Sequence, residues 1–545
     1  MVMNRKLLFI WIILLYSHAT PGQVNRYLVF FTDKENSDFS ISEPEKFLSQ
    51  RAIDRRNRFQ IPVTLEDLPV NSLYVNELSN LGIDVFHKSR WFNAVLVQMD
   101  SETVPLVESL PAVKRVDFVA PGERLIKMES FQDDSAINEE SDRKKLITNA
   151  LQNNMIGVDR MHQDGFTGKD ILIGIFDAGF SGVNQSIYFE HLFEQERILA
   201  SRDFIRNSGN VFQYDDHGTG VLSTISGYEA FEYEGIAYDA EIILCVTEDV
   251  PTEYIIEEYN WLFAAEYADS LGVDIINTSL GYNIFDDISM NYRYENLDGN
   301  TAVITQATDI AASKGILCVV SVGNEGNNTW QKLVAPADAD SALAVGAVNS
   351  NLVYIPFSST GPTADGRIKP DVVALGQGTK IVQYDGELST GSGTSFASPL
   401  IAGLAAGLWE AYPELNNMEL IDLIRRGSSQ YFQPDTLLGY GIPDYGRIQS
   451  FITALDERSL SSEFKIYPNP VDNKKLFVEI KGESRSDKIS IDILDLNGKM
   501  VFELYTGSLN ASDKLELDLT GVRKGVYILN ITNGEFTGNA KIIIP

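Results

Sequence analysis

At 545 residues the chain exceeds the roughly 250–300 residues that one hydrophobic core serves, so several domains are expected. A hydrophobic fraction of 44% and a charged fraction of 22% are globular averages, which exclude a disordered or fibrous chain. The 76 acidic residues outnumber 44 basic ones, and the net charge of −32 repels nucleic-acid phosphates and anionic membranes, so no nucleic-acid partner is expected.

Arg5 and Lys6 precede the apolar run Leu7–Tyr16 and the small or turn-forming residues Ala19–Gly22. Residues 1–22 therefore read as a secretory signal peptide, the run being shorter than the ~20 residues a membrane span needs. Residues 24–122 are predicted to form a small α+β unit. Its strands are Arg26–Thr32, Ile83–His87, Trp91–Gln98 and Val113–Val119, and its helices Glu43–Phe59, Ser72–Leu81 and Glu102–Leu110. Residues 123–149 turn polar and charged, as in Glu139-Glu-Ser-Asp-Arg-Lys-Lys145, and are expected to be a linker open to proteolysis.

From 150 to 452, buried-type strands alternate with helical stretches: Ile171–Asp177, Ala240–Thr247, Val273–Leu280, Ile316–Val322 and Ala342–Val348. Such continuous Ile/Val/Leu runs predict an α/β domain, a parallel sheet covered by helices on both faces, with its site at the carboxyl ends of the strands. Cys245 and Cys318 lie inside these runs and read as core residues, although an exported protein could also join them. Residues 460–545 shift to seven short alternating strands with Gly and Asn turns, a small β-sandwich.

Four strand or helix ends in the middle domain carry chemistry. Asp177 closes strand Ile171–Asp177, and His217 opens a small-residue helix in Asp215-Asp-His-Gly-Thr-Gly220. Asn324 follows strand Ile316–Val322 in Ser321-Val-Gly-Asn-Glu-Gly326, and Ser395 lies at a helix start in Gly391-Ser-Gly-Thr-Ser-Phe-Ala-Ser-Pro399. Singly, each has a plain structural reading: a turn carboxylate, a structural histidine, an Asn-Glu-Gly turn, and a helix N-cap with Pro399 in the first turn. Together they supply an acid, a base, an oxyanion donor and a nucleophile.

These four segments resemble the signature motifs of the subtilisin-like serine proteases, the subtilases. The resemblance implies a subtilisin-like fold and hydrolysis of peptide bonds through an acyl-enzyme. Ser395 would be the nucleophile, His217 the base, Asp177 its orienting carboxylate and Asn324 the oxyanion donor. It further implies that Ser279, Leu280 and Gly281 form a strand that pairs with an extended peptide substrate. Ala178 departs from the pattern, since the family more often has Ser or Thr beside the Asp. Residues 24–122 resemble the subtilase propeptide, an intramolecular inhibitor, although an unrelated N-terminal domain is the alternative. Residues 464–545, with Tyr467-Pro-Asn-Pro470, Asp495-Leu-Asn-Gly498 and Gly525-Val-Tyr-Ile-Leu529, resemble the type A C-terminal sorting domain of the type IX secretion system. An adhesive or carbohydrate-binding sandwich is the rival there.

The expectation is thus a secreted or surface-displayed serine endopeptidase, made as a zymogen, acting on proteins or peptides as a monomer, and using no catalytic cofactor or metal. Asp286, Asp287, Glu295 and Asp298 could hold structural calcium. Glu248, Asp249, Glu253, Glu257 and Glu258 could favour basic substrate residues, or form a solvated helix face. Two other readings are a subtilase-fold scaffold without turnover, and a serine-carboxyl peptidase, against which His217 speaks.

Overall fold

A computed structural model of the chain describes residues 24–122, 147–451, 464–480, 486–494, 500–509, 514–533 and 536–544. The expected signal peptide and all but residues 147–149 of the expected linker lie outside the described residues.

The first unit comprises β1 (Val24–Phe31), α1 (Gln50–Arg58), α2 (Ser72–Asn80), β2 (Asp84–Ser89), β3 (Ala94–Asp100), α3 (Val104–Glu108) and β4 (Val113–Pro121). Its antiparallel sheet runs in the order β2-β3-β1-β4. Alternation decides what each face covers. Tyr27, Val29 and Phe31 pack with Val75 and Leu78 of α2, whereas Leu28, Phe30 and Leu96 face the next domain. The helix expected over Glu43–Phe59 is interrupted, because Ser49 accepts the N–H of Ala52 at 3.2 Å and caps a new helix.

The middle domain continues with α4 (Ala150–Met155), α5 (Val158–Gln163), β5 (Leu172–Asp177), α6 (Glu190–Glu194), β6 (Ile198–Asp203) and α7 (His217–Ser226). Next come the short pair β7 (Tyr228–Glu229) and β8 (Tyr233–Glu234), then β9 (Glu241–Val246), α8 (Ile256–Leu271), β10 (Ile275–Thr278), α9 (Val303–Ser313) and β11 (Leu317–Ser321). β12 (Ala342–Val348), β13 (Val372–Leu375), β14 (Gln377–Val382), β15 (Leu388–Ser392), α10 (Thr394–Ala411) and α11 (Asn417–Arg426) complete it.

Seven of these strands form one parallel sheet, in the order β13-β12-β11-β10-β5-β9-β6. One face, with Ile173, Ile175, Val319 and Val345, packs on α7 and α10. The other, with Leu172, Phe176, Ile276 and Val320, packs on α8 and α9. Cys245 and Cys318 are free and buried, on β9 and β11. Two strands separate them, about 14 Å at ordinary strand spacing, too far for a disulfide.

Two further sheets lie at the C-terminus: β16 (Phe464–Asp472), β17 (Lys475–Ile480), β18 (Ser486–Leu494), β19 (Met500–Leu509), β20 (Lys514–Asp518), β21 (Gly525–Asn533) and β22 (Phe536–Ile544). Their orders are β16-β17-β20 and β19-β18-β21-β22. One apolar cluster, including Leu476, Val478, Ile491, Ile493, Leu517 and Leu529, draws on both. Among the described residues no helix is long and apolar enough to cross a membrane.

Candidate active site

The carboxyl edge of the parallel sheet gathers the four expected residues. Asp177 is the last residue of β5 and fully buried. His217 is the first residue of α7, its backbone N–H held by the Asp215 carboxylate at 2.7 Å. Gly218 allows this approach, because a Cβ there would lie 2.4 Å from the Gly179 carbonyl and 3.0 Å from Asp177 Cβ. His217 Nδ1 then donates to Asp177 Oδ1 at 2.8 Å. The same oxygen accepts the N–H of Ala178 at 2.8 Å, while Oδ2 finds no donor among the described residues. Ala178 itself carries no side-chain donor.

Burial works against a charged imidazole, but Asp177, followed by Asp215 and Asp216, overrides it and pushes the His217 pKa up to about 9. The ring lies beside Phe396, neighbour of Ser395, with centroids 5.6 Å apart.

Ser395 is the second residue of α10 and only 8% exposed. It is not the helix cap, a position occupied by Gly393. Its hydroxyl donates to the carbonyl of Ser279 at 3.1 Å, and Ser279 Oγ donates back to the carbonyl of Ser395 at 2.8 Å. Pro399 lies beyond the first turn, at the sixth position of α10, and this corrects the expectation of a helix-start proline.

Asn324 stands at the surface three residues past β11, after Gly323, whose φ of +96° turns the chain out of the sheet. Its Oδ1 accepts both the N–H of Thr394 at 2.9 Å and its hydroxyl at 3.1 Å. With the oxygen tied, the amide NH₂ is oriented beside the first turn of α10, where the N–H of Ser395 has no intrahelical acceptor. Such a pair of donors suits a developing oxyanion.

β10 ends at Thr278, so Ser279, Leu280 and Gly281 run on past the sheet, with Gly281 exposed. Sequence reasoning missed the buried chain behind them: Asn277 donates to Ser279 at 3.1 Å and accepts from Ser398 at 2.9 Å. Ser398 stands one helical turn after Ser395, which was the available signal.

The acidic residues divide. Glu248, Glu253 and Glu257 converge, each with a ligand oxygen within 4.8 Å of the others. Burial and mutual repulsion push all three carboxyls up, Glu253 to about 8. Glu258 turns away to accept from Ile304 N–H at 2.8 Å and Tyr292 at 3.1 Å. Asp286, Asp287, Glu295 and Asp298 form no comparable cluster among the described residues. Asp287 and Asp298 instead accept N–H groups of Ser289, Asn300 and Thr301, all at 2.9 Å.

Comparison with known proteins agrees with the location of these segments. The subtilase family model matches residues 168–441, a peptidase S8 propeptide domain of Bacteroidota matches 26–135, and a secretion system C-terminal sorting domain matches 465–545. Subtilisin E of Bacillus subtilis (strain 168) is 28% identical over 281 residues, covering 50% of this chain and 65% of that protein. Subtilisin of Bacillus pumilus is also 28% identical over 281 residues, covering 50% of this chain and 90% of that protein. The crystal structure of MycP1 from Mycobacterium smegmatis aligns with a TM-score of 0.44 at 20% identity, over 56% of this chain and 87% of that one.

Proposed function

Because the chain belongs to the subtilase family, we propose that it is a serine endopeptidase that cuts protein and peptide substrates through an acyl-enzyme. Ser395 attacks the scissile carbonyl, and His217 takes its proton on Nε2 and returns it to the leaving amine. Asp177 holds the ring by Nδ1 and stabilises the imidazolium. The Asn324 amide and the Ser395 N–H receive the oxyanion, and Ser279–Gly281 pair with the peptide backbone. In the resting structure the Ser395 hydroxyl is held by Ser279, so a change of its χ1 rotamer precedes attack. The observation that carries this reading is the 2.8 Å Asp177–His217 bond at the same sheet edge as an asparagine tethered to the residue before Ser395.

In this reading residues 24–122 are the inhibitory propeptide, 150–452 the catalytic domain and 460–545 the sorting domain. The sorting domain delivers the chain outside the cell or to its surface. No step requires a second copy. A fluorophosphonate probe tests the chemistry: covalent labelling of the processed protein, lost in Ser395→Ala and much reduced in His217→Ala, is expected. Absence of labelling in the parent would leave a subtilase-fold scaffold without turnover.

A further inference from the structure

Glu248 sits two residues past the end of β9, Glu253 on the following loop, and Glu257 in the first turn of α8. Their mutual spacing, within 4.8 Å, is the span of oxygens that share one hard cation at ~2.3–2.6 Å. An ammonium group, reaching its acceptors at ~2.8 Å, would accommodate a wider ring of oxygens.

The geometry is fixed from outside the cluster. Tyr282 and Thr247 donate to Glu248, the latter at 3.1 Å. The backbone of Glu253 is locked to Asp286 in both directions, at 3.1 and 2.8 Å. Glu257 is only 1% exposed and its Oε1 finds no donor. Among the described residues no ion pair to any of the three is found, so three carboxylates face one another without a counter-charge. That arrangement calls for protons or for a cation.

We propose that Glu248, Glu253 and Glu257 form a binding site for one hard divalent cation of the calcium class, with water completing its shell. The ion braces the catalytic rim. Thr247, beside Glu248, donates its N–H to the Asp177 carbonyl at 3.1 Å, and Tyr282 directly follows Gly281. The site stands apart from the peptidase reading, since ion uptake can be measured without turnover.

The test uses the full-length chain carrying Ser395→Ala to stop self-cleavage, stripped with a chelator and titrated with calcium in a calorimeter. A parallel titration with terbium follows emission sensitised by Tyr282. One ion per chain is expected, with a thermal midpoint that rises on calcium addition. Affinity should fall at least about 10-fold in Glu257→Gln and in the half-exposed Glu253→Gln, the latter checked for native circular dichroism. No uptake at ~1 mM calcium, or uptake unchanged in both variants, overturns the proposal. It is equally overturned if the parent ignores calcium but binds arginine-containing peptides in a Glu257-dependent way, which would make the cluster a substrate subsite.

Discussion

Ser279 Oγ donates to the backbone carbonyl of Ser395 at 2.8 Å. That carbonyl is available because the residue four positions on, which would normally bond it within the helix, is Pro399 and has no N–H. The proline therefore hands the first turn of α10 to Ser279. Pro399→Ala should restore a competing intrahelical donor and draw Ser395 away from its register. A displacement of this kind costs about 10- to 100-fold in kcat. Thermal stability should stay level or rise, since an interior proline is unfavourable in a helix. Equal kcat in the two proteins would show that the Ser279 link does not position the nucleophile.

Asn324 offers a second, separable test. Thr394 fixes its oxygen, so the NH₂ is the group left for substrate. Asn324→Leu should lower kcat by about 10²–10³-fold with little change in KM, because the donor acts on charge that develops only in the transition state. The side chain is exposed, so the melting temperature should scarcely move. A KM rise at constant kcat would assign Asn324 to ground-state binding instead.

The histidine sets the pH response. Its folded pKa, about 9, lies above the ordinary ~6.5, with Asp177, Asp215 and Asp216 facing the ring. A raised value means the pair stabilises the fold fully below about 6.5 and loses that contribution as pH climbs through about 9. The neutral base appears over the same climb. The acid limb of kcat/KM should therefore stand well above 6.5, and Asp177→Asn should shift it down while greatly reducing the rate. A limb near ~6.5 in the parent would mean that Asp177 does not govern this imidazole.

What could be read from the sequence follows burial. β5, β11 and β12 are buried on both faces and so appear as apolar runs. β6 is an edge strand with only Asp203 buried, and its pattern carries no such signal. The placement of Asp177, His217, Asn324 and Ser395 at the sheet edge could be read because each sits close to the start or end of an element and a short motif marks it. The roles of Thr394, Asn277 and Ser398 depend on which way side chains turn between segments 70 residues apart in one case and 121 in the other, and no local pattern encodes that. The acidic run showed a cluster but not its membership, since neighbours Glu257 and Glu258 point to different partners.

Least legible of all was Asp269, one buried carboxylate on α8 that meets three arginines of the N-terminal unit. Arg55 and Arg56 reach it from α1, the latter at 2.9 Å, and Arg90 from the segment between β2 and β3. One turn earlier Glu266 accepts from Ser89, and from the N–H groups of Arg90 and Trp91 at 2.7 and 3.2 Å. Removing one partner from a buried ion network costs about 3–5 kcal/mol, because the remaining charges stay desolvated. Asp269→Asn should therefore weaken inhibition by an added 24–122 unit about 10²- to 10⁴-fold and lower the melting temperature of the precursor. Once that unit is cut away the helix face meets water, so the processed variant should keep parental kcat/KM. If the processed enzyme is destabilised as much as the precursor, and inhibition is unchanged, Asp269 serves the fold of its own domain rather than the docking of the unit.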